Sequence, residues 1–589
     1  MKLSRERKKF TLLPNGKIGA VFVDIAFIVL FLYFPISAIN NEVLKINFLG
    51  EAVHYLWLAS PLVLFYIFLR LVRLPLLLCG GFALLSFVSV QYINMTKMAL
   101  TGEVLSWNDL VSGFNLSIAA RYLTLWSLVY LFLALMICGV LFYIGKLFYT
   151  SRKNYFFLIL LFMVAVPFSM YSHLASIFGE SSIFSRKITL LASEEGIVYK
   201  SWDWTENLRD NGITMHLVMT SSRKKPPTVT AEEQQDYLLK KRGGAVTAAK
   251  HKTIIYILCE SCWYDEHHFK EIINPLLDEG YMTFRATSPA YGGGTANVEF
   301  EMLTGLPSNA NAVSGIIYQE YASRMRTNVD SLASALKAKG YNTYAAHNYL
   351  KEFWHRNIVY KKFGFDKFDD YYDMSGVKLP DEIAASKQQW QWQPDDYLLY
   401  ATALNALKNA NGQGIFMNLI TMSTHGPYIH NSDAGEGAYT YAFKQAIERI
   451  AEFTKKVREF DPDAVIVVYG DHKPALNRYF LKQGVMPANL FSKTGAEDSD
   501  FEFKWNIKPT DYGDVPVFVI SNDHDAMFSL SKDANHQPYF CVSALVDKYL
   551  ISSGLVSFDY SDKYQCNMRS SYDEKIKMFP PEYYSLALF

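Results

Sequence analysis

Hydrophobic residues are unevenly distributed along this chain of 589 residues. Long apolar stretches precede residue 176, whereas the remainder alternates short apolar runs with polar segments. An α-helix needs about 20 apolar residues to cross the hydrocarbon core of a bilayer. The pattern therefore predicts five membrane-spanning helices, namely Gly19–Ile39, Ala52–Leu69, Leu74–Ile93, Tyr122–Ile144 and Tyr155–Ser172.

Lys and Arg residues indicate how these helices are oriented. They concentrate before the first predicted span, between the second and third, and between the fourth and fifth. Basic loops stay on the cytoplasmic side. We therefore expect a cytoplasmic N-terminus and an external location for the chain after about residue 176. The segment Thr101–Ser117 fits either an interfacial helix or a solvated loop, and no cleaved signal peptide is expected.

After residue 250 the pattern changes to alternating strands and helices. Apolar runs predict buried strands at Thr253–Cys259, Gly414–Met422, Ala464–Tyr469 and Val515–Ile520, with a weaker one at Tyr341–Ala346. Helical patterns fall between or after them, at Val329–Lys339, Asp395–Lys408, Tyr441–Phe460 and Cys541–Ile551. Such alternation predicts an α/β domain with a mainly parallel central sheet.

Composition narrows the class of protein. Lys plus Arg and Asp plus Glu both number 57, so the formal net charge is zero. A dedicated nucleic-acid-binding protein normally carries a basic excess, and we expect no nucleic-acid partner. Six cysteines in this length exclude a fold built on disulfides. The chain is predicted to be a membrane protein with a large water-soluble domain.

Polar residues cluster where the predicted strands end. Glu260 follows the first strand, and His347 and Asn348 follow the weaker one. The strands Gly414–Met422 and Ala464–Tyr469 lead into Ser-Thr-His425-Gly-Pro and into Gly-Asp471-His472, respectively. Ligands of open α/β sheets bind beyond the carboxyl ends of strands, so these side chains are candidates for one site.

The segment Tyr291–Gly305 contains three successive glycines followed by Thr295. The glycines allow a tight turn and a close approach of backbone to a ligand. Thr295 is predicted to open a helix, where free N–H groups favour an oxyanion. Taken alone, the same pattern also fits an ordinary helix cap behind a flexible loop.

A threonine hydroxyl near neutral pH needs a base or a metal to become a nucleophile. Glu260, Asp471 and His472, together with Thr295, form a mixed oxygen and nitrogen set that suits one divalent metal ion. We expect manganese, magnesium or zinc, since such a donor set accepts several ions.

At these residues the sequence resembles the family of lipoteichoic acid synthases and periplasmic-glucan phosphoglycerol transferases, within the alkaline phosphatase and sulfatase superfamily. The resemblance rests on the strand ending in Glu260, on Gly-Gly-Gly-Thr-Ala-Asn-Val-Glu-Phe-Glu, on His347 with Phe-Trp-His-Arg-Asn, and on Ser-Thr-His-Gly-Pro and Tyr-Gly-Asp-His. It also covers the layout of five spans before an external catalytic domain.

The resemblance implies a role for each matching residue. Thr295 is implied as the nucleophile and, with Glu260, Asp471 and His472, as a metal ligand. Substrate contacts are implied for Trp354, Arg356, His347, Asn348 and His425. His425 is also the expected proton carrier, because it follows a buried strand where a general acid can be held. Arg356 suits a phosphate oxygen pair, and Trp354 offers an apolar face. One departure is visible: Asn348 and Tyr349 follow His347, where the Gram-positive enzymes have glycine and an acidic or amide residue.

The implied reaction is transfer of glycerol phosphate from phosphatidylglycerol, or a similar phospholipid, through a covalent threonine intermediate. The implied acceptor is a glycan, a glycolipid or a polyglycerol-phosphate chain. The implied location is the bacterial cytoplasmic membrane, with a periplasmic or extracellular catalytic domain. Expected domains are 1–175 (five membrane helices), 176–249 (linker), 250–555 (catalytic domain) and 556–589 (an extension packing on it).

Three other functions compete with this interpretation. A sulfatase needs a Cys-x-Pro-x-Arg frame around its nucleophile, and the sequence has none. A phosphoethanolamine transferase acting on a lipid or glycan is the enzymatic alternative. An inactive membrane scaffold is the non-enzymatic one. Cys259 and Cys262 are expected to be small core residues rather than a redox or zinc pair, while pairing of Cys541 with Cys566 is left open.

Overall fold

The computed structural model describes residues 22–31, 52–101, 104–107, 109–110, 125–145, 152–179, 182–200, 204–222, 226–244, 250–308, 312–313, 315–386, 393–410, 412–428, 435–493, 501–503, 509–562, 566 and 570–589. The chain divides into two compact units, Met1–Arg223 and Lys224–Phe589. The division falls inside the segment 176–249 that the sequence predicts as a linker. The domain boundaries given above remain predictions.

The first unit is helical. Its helices are α1 (Ala52–Leu71), α2 (Leu76–Thr101), α3 (Leu125–Gly145), α4 (Arg152–Ser169), α5 (Leu174–Phe178), α6 (Ile183–Glu194) and α7 (Trp204–Ser221). By length and composition, Val53–Leu71 and Leu76–Met98 are long and apolar enough to cross a membrane. Three shorter apolar helices are Phe22–Phe31, Phe132–Gly145 and Tyr155–Ser169.

These helices correspond in position to the predicted spans, but five crossings and their orientation remain a prediction. Much of the first predicted span, Gly19–Ile39, lies outside the described residues, as does most of Thr101–Ser117. Within the described part, Arg70 and Asp24 form a buried ion pair at 2.9 Å. Two charges that are both removed from water need each other as partners, so this pair ties the Phe22–Phe31 helix to α1.

The second unit contains an eight-stranded sheet. Its strands are β1 (Thr253–Cys259), β2 (Met282–Thr287), β3 (Asn342–His347), β4 (Lys367–Asp369), β5 (Ile415–Ile420), β6 (Val465–Gly470), β9 (Asp514–Ile520) and β10 (Gln537–Pro538). Their order is β10-β2-β9-β6-β1-β5-β3-β4. A separate two-stranded sheet pairs β7 (Phe491–Lys493) with β8 (Phe501–Phe503).

Strands β6, β1, β5, β3 and β4 are parallel neighbours, while β9 is antiparallel to both β6 and β2. The prediction of an α/β domain with a mainly parallel sheet is therefore confirmed. Every residue of β1, β5 and β6 is buried. Continuous apolar strands are typical of a parallel sheet covered on both faces.

The helices of this unit flank or follow the strands. They are α8 (Ala231–Gly244), α9 (Asn274–Asp278), α10 (Thr295–Thr304), α11 (Ile317–Tyr321), α12 (Leu332–Ala338), α13 (Arg356–Lys362), α14 (Asp381–Ser386), α15 (Tyr397–Asn409), α16 (Glu436–Phe460), α17 (Asn477–Gln483), α18 (Pro509–Tyr512), α19 (His524–Ala534), α20 (Tyr539–Val546), α21 (Val556–Ser561), α22 (Tyr572–Met578) and α23 (Glu582–Ala587). The four helices predicted from periodicity correspond to α12, α15, α16 and α20, with ends that differ by a few residues.

The C-terminal segment packs on α10. Tyr572 donates a hydrogen bond of 2.5 Å to Glu301, and Ser561 donates one of 2.9 Å to the carbonyl of Gly305. Cys566 is bonded to Cys541 on α20, with an S–S distance of 2.11 Å. The pairing that the sequence left open is therefore present in the structure.

Candidate active site

The strand register brings the candidate residues to one edge of the sheet. Cys259 of β1 is the Cα partner of Gly470 of β6, so Glu260 and Asp471 leave neighbouring strands side by side. Ile420 of β5 pairs with His347 of β3. Since these strands run parallel, their carboxyl ends meet at the same edge, as the sequence predicts.

The loop after β1 is held by hydrogen bonds to its backbone. The N–H of Glu260 donates to the Thr421 hydroxyl at 2.9 Å, and the Thr424 hydroxyl donates to the Glu260 carbonyl. Ser261 has a φ of 51°, which is unusual for a residue with a side chain. Its N–H donates to Asp471 Oδ1 at 2.7 Å, and its hydroxyl donates to Glu260 Oε1 at 3.0 Å. This turn therefore aims the Glu260 carboxylate toward Asp471.

A disulfide closes the same turn. Cys259 and Cys262 are both fully buried, and their sulfur atoms are bonded. The sequence predicts that both are small core residues rather than a redox or zinc pair; their burial agrees with this prediction, but the disulfide was not predicted. Cys259 is a core residue because it completes a buried strand. The turn through Glu260 and Ser261 then brings the sulfur of Cys262 back to the sulfur of Cys259. Gly470 lies against this turn, since a Cβ there would stand 2.2 Å from the carbonyl oxygen of Cys262.

Thr295 is the first residue of α10, as predicted, and Gly294 precedes it in a left-handed conformation with a φ of 91°. The three glycines of this loop all have positive φ, which only glycine adopts without strain. Thr295 is 3% exposed, and its hydroxyl donates to Glu260 Oε2 at 3.2 Å. The nucleophile candidate therefore sits at a helix N-terminus and touches a metal-ligand candidate.

Glu260, Asp471 and His472 offer ligand atoms that all lie within 4.8 Å of one another. His472 Nε2 is 3.2 Å from Asp471 Oδ2 and 3.5 Å from Glu260 Oε1. Its other nitrogen, Nδ1, lies 3.0 Å from the Lys473 carbonyl, a contact that places the ring proton on Nδ1 and leaves Nε2 able to bind a metal.

Electrostatics also favour a cation here. Burial, together with the nearby Glu260 carboxylate, raises the pKa of Asp471 to about 7. Burial acts the same way on Glu260, but the neighbouring His425 and His472 hold the pKa of its carboxyl below the usual value. Among the described residues, Asp471 Oδ2 and His472 Nε2 are buried without a hydrogen-bond partner. A buried carboxylate oxygen and a buried ring nitrogen without hydrogen-bond partners are suitable ligands for a divalent metal ion.

Two histidines lie beside this set. His347 is buried, and burial, with a contribution from the positive charge of Arg356, lowers the pKa of its ring well below the usual value. Its Nδ1 is 3.2 Å from the Ile420 carbonyl, so a neutral ring has Nε2 as an acceptor. His425 is half-buried, and its Nδ1 lies 2.6 Å from the Gly426 carbonyl. Its charge influences Glu260, which places the ring near the metal-ligand candidates.

Trp354 and Arg356 approach from the segment after β3. Trp354 and His355 both have positive φ, at 54° and 56°, so this segment holds a strained backbone that aims the indole. The guanidinium of Arg356 lies 5.2 Å from the centre of the Trp354 ring. Arg356 is 1% exposed, and the Glu299 carboxylate accepts from its Nε and Nη2. The sequence did not predict this buried ion pair.

Asn348 is fully buried, and its amide nitrogen donates to the carbonyl oxygens of Asp395, at 2.9 Å, and Pro394, at 3.3 Å. In this structure the side chain holds the segment that precedes α15. A contact between Asn348 and substrate remains a prediction, as do the other catalytic and binding roles assigned from the sequence.

The structure adds Ser261 and Glu299 to the residues named from the sequence. Ser261 follows directly after Glu260, and a polar residue next to a candidate ligand is a weak signal of a supporting role. Glu299 lies four residues after Thr295, hence on the same side of α10. That spacing is the signal that sequence reasoning passed over.

A model of the sulfatase family matches residues 252–543. The putative cyclic beta-1,2-glucan modification protein of Rhizobium meliloti is 28% identical over 322 residues, which cover 50% of this chain and 48% of that protein. The lipoteichoic acid synthase of Staphylococcus saprophyticus is 29% identical over 255 residues, which cover 38% of this chain and 36% of that protein. The chain therefore spans about half, or less, of the length of these relatives.

Two solved structures are similar to this one. The lipoteichoic acid synthase LtaP from Listeria monocytogenes is 19% identical, with a TM-score of 0.38 over 55% of this chain and 78% of that one. The Streptococcus pyogenes phosphoglycerol transferase GacH, in complex with sn-glycerol-1-phosphate, is 19% identical, with a TM-score of 0.41 over 62% of this chain and 95% of that one.

The family match covers every strand of the parallel sheet and every residue of the candidate site. It confirms the superfamily that the motifs indicated, and a lipoteichoic acid synthase is among the relatives. Residues 252–543 are a sulfatase-family domain of the alkaline phosphatase and sulfatase superfamily.

Proposed function

We propose that this chain is a membrane-anchored, metal-dependent phosphoglycerol transferase. It moves glycerol phosphate from phosphatidylglycerol, or a similar phospholipid, to a glycan, glycolipid or polyglycerol-phosphate acceptor outside the cytoplasmic membrane. The observation that carries the proposal is the position of Thr295. Thr295 is the first residue of α10. Its buried hydroxyl lies 3.2 Å from Glu260, which forms one cluster with Asp471 and His472.

Glu260, Asp471, His472 and the Thr295 hydroxyl would hold one divalent metal ion. When bound, such an ion acts as a Lewis acid that lowers the pKa of the hydroxyl and offsets negative charge on phosphate. Contacts within the protein already orient three of these four ligands. Ser261 orients Glu260, the Lys473 carbonyl fixes the His472 ring, and the glycine turn sets the start of α10.

In the first half-reaction, Thr295 Oγ1 forms a bond to phosphorus and the bond from phosphorus to the diacylglycerol oxygen breaks. The proton lost by the Thr295 hydroxyl replaces that bond on the leaving diacylglycerol. His425 is the proposed carrier, because it follows β5 beside Glu260 and an imidazole can both accept and return a proton. The product is a glycerophosphoryl ester of Thr295.

In the second half-reaction, an acceptor hydroxyl forms the new bond to phosphorus and the ester bond to Thr295 Oγ1 breaks. The acceptor proton passes to Thr295 Oγ1, again through His425, so that the enzyme returns to its starting state. In each half-reaction one P–O bond forms, one P–O bond breaks and one proton is transferred.

The remaining site residues bind the phosphate and the glycerol group. Arg356 donates a hydrogen bond to a phosphate oxygen, and Trp354 presents an apolar face. Neutral His347 accepts a hydrogen bond from a glycerol hydroxyl through Nε2. The relatives support a cell-envelope acceptor, since they are named for modification of a cyclic glucan and for synthesis of lipoteichoic acid.

The proposal is tested by mass spectrometry of the peptide that contains Thr295. The purified full chain in detergent is incubated with phosphatidylglycerol and Mn²⁺, quenched with acid and digested. We expect a glycerophosphoryl adduct on Thr295, with release of diacylglycerol. The Thr295→Ala variant serves as the control and should show neither product.

Two other outcomes contradict the proposal in defined ways. An adduct formed from phosphatidylethanolamine, but not from phosphatidylglycerol, identifies a phosphoethanolamine transferase. Full complementation of a deletion strain by Thr295→Ala identifies a scaffold whose role needs no chemistry.

A further inference from the structure

Glu299 lies one turn after Thr295 on α10 and is 0% exposed. Its carboxylate accepts from Arg356 Nε at 3.2 Å through both oxygens, and from Arg356 Nη2 at 2.5 Å through Oε1. Tyr360 donates its hydroxyl proton to Oε2 at 2.6 Å. A buried carboxylate with this many donors is fully paired, so its cost of burial is offset.

The same network reaches the centre of the sheet. Asn418 of β5 donates its amide N–H to the Tyr360 hydroxyl at 2.9 Å, and Tyr360 in turn holds Glu299. Asn418 and Tyr360 are both 0% exposed. Arg356 is thus fixed from a buried strand through two side chains that have little freedom to move.

One nitrogen of Arg356 stays open. Within the described part of the chain, Nη1 is buried and has no hydrogen-bond partner. A buried guanidinium N–H group without an acceptor is costly, and it is a place where a ligand oxygen gains a strong hydrogen bond. The ring of Trp354 lies 5.2 Å from this guanidinium, and the charge of Arg356 acts on His347, so the open donor belongs to the candidate site.

We infer that Glu299 is a positioning and charge-setting residue. It fixes Arg356 so that Nη1 is the donor left for a substrate phosphate oxygen, and it cancels most of the positive charge that Arg356 would otherwise present. The inference rests on the proposed function, in which Arg356 binds the phosphate of the donor lipid.

The charge balance gives this arrangement a chemical consequence. A phosphodiester carries one negative charge, whereas a phosphomonoester near neutral pH carries between one and two. A paired arginine that offers one NH2 group suits the diester, because an additional charge on the ligand would face the Glu299 carboxylate at short range. Glu299 therefore favours diesters over monoesters. It lies on the same face of α10 as Thr295.

The test uses the purified full chain in detergent with Mn²⁺ and two chromogenic probes, bis(p-nitrophenyl) phosphate as diester and p-nitrophenyl phosphate as monoester. In Glu299→Gln the side-chain shape is kept and the charge is lost. We expect the ratio of kcat/KM for diester over monoester to fall by about tenfold or more, mainly through a lower KM for the monoester, which no longer faces a carboxylate. Glu299→Asp should restore part of the ratio, and Tyr360→Phe should lower it by about two- to fivefold.

Glu301→Gln is the matched control, since Glu301 is also a fully buried glutamate of α10 but pairs with Ser308 and Tyr572. It should leave the ratio unchanged. A structural role for Glu299 would lower both activities together, so an unchanged ratio in soluble, folded Glu299→Gln overturns the inference. If that variant does not fold, an unchanged ratio in Tyr360→Phe overturns it in the same way.

Failure of the proposed function has a different signature. In that case the wild-type chain releases no diacylglycerol from phosphatidylglycerol, while the ratio for the chromogenic probes still depends on Glu299. Failure of the inference alone leaves diacylglycerol release intact and the ratio independent of Glu299.

Discussion

Cys259 and Gly470 are Cα partners across β1 and β6, and the next residue on each strand is a buried carboxylate. Glu260 and Asp471 are therefore brought together by the strand register itself, before any side-chain contact is considered. Two carboxylates at this spacing repel each other in a site shielded from water. A cation bound between the two carboxylates would therefore stabilise them.

Removal of divalent cations should abolish activity. We expect diacylglycerol release to stop in the presence of a chelator and to return on addition of Mn²⁺ or Mg²⁺. Bound metal should also stabilise the folded chain, by about 2.7 kcal/mol at a free concentration 100 times its Kd. The measurement is the thermal midpoint of the full chain in detergent, with and without Mn²⁺.

Asp471→Asn is the control for the metal experiment, because it keeps the shape of the side chain and removes one ligand charge. Its thermal midpoint should respond to Mn²⁺ far less than that of the wild type. Full transfer activity in metal-free wild-type protein would show that the four residues serve another purpose.

Replacement of Thr295, the proposed nucleophile, should separate binding from chemistry. Thr295→Ala should lose diacylglycerol release by at least about a thousandfold, as removal of a catalytic nucleophile commonly does. Thr295→Ser keeps a hydroxyl at the same position and should retain measurable release. The two variants are compared under saturating phosphatidylglycerol, and equal rates in Thr295→Ala and wild type would refute covalent catalysis.

Glu301 should make stability depend on pH. Burial raises the pKa of this carboxyl to about 7, above the value of 4.5 that it has when exposed. The folded chain therefore binds the proton more tightly than the unfolded chain. The resulting stabilisation is complete below about pH 4.5 and is lost as the pH rises through about 7, with a magnitude of about 3 kcal/mol.

Glu301→Gln stays neutral at every pH and should remove this contribution. The difference in thermal midpoint between acidic and mildly alkaline buffer should become smaller in this variant. An identical pH dependence in Glu301→Gln and wild type would contradict the raised pKa.

Thiol counting tests the disulfides. The sequence has six cysteines, and Cys79 and Cys138 are free in the structure. Denatured protein purified without reductant should therefore show two reactive thiols, rising to six after reduction. Four thiols before reduction would show that one of the two bonds does not form.

The Cys541–Cys566 bond encloses a loop with a sequence separation of 25 residues. Loss of a bond across a loop of this size destabilises a folded protein by about 3 kcal/mol. The double variant Cys541→Ser with Cys566→Ser should lower the thermal midpoint without changing the diester-to-monoester ratio. Cys138→Ser is the control and should change neither quantity.

The sequence predicts the central strands well. The apolar runs of β1, β5 and β6 stand out because both faces of these strands are covered, which leaves no polar alternation. β2 was missed, since Met-Thr-Phe-Arg-Ala-Thr mixes polar and apolar residues at the side of the sheet. Its partner β9 was found, but no sequence pattern shows that β9 runs opposite to its neighbours.

The candidate site was predictable where a residue follows a strand, because topology alone then determines its place. Glu260, His347 and Asp471 belong to this group. The bond between Cys259 and Cys262 was not predicted, since it depends on the left-handed turn at Ser261. The partner of Arg356 was not predicted either, because Glu299 lies on another element that only the tertiary packing brings close.

The glycine turn before Thr295 has a consequence for how this domain can diversify. Gly292, Gly293 and Gly294 have φ values of 60°, 153° and 91°, which resist the introduction of any side chain. Substitution can therefore change this turn very little. Changes in specificity among descendants of this scaffold are therefore expected around Trp354 and His425, where side chains can be exchanged by mutation.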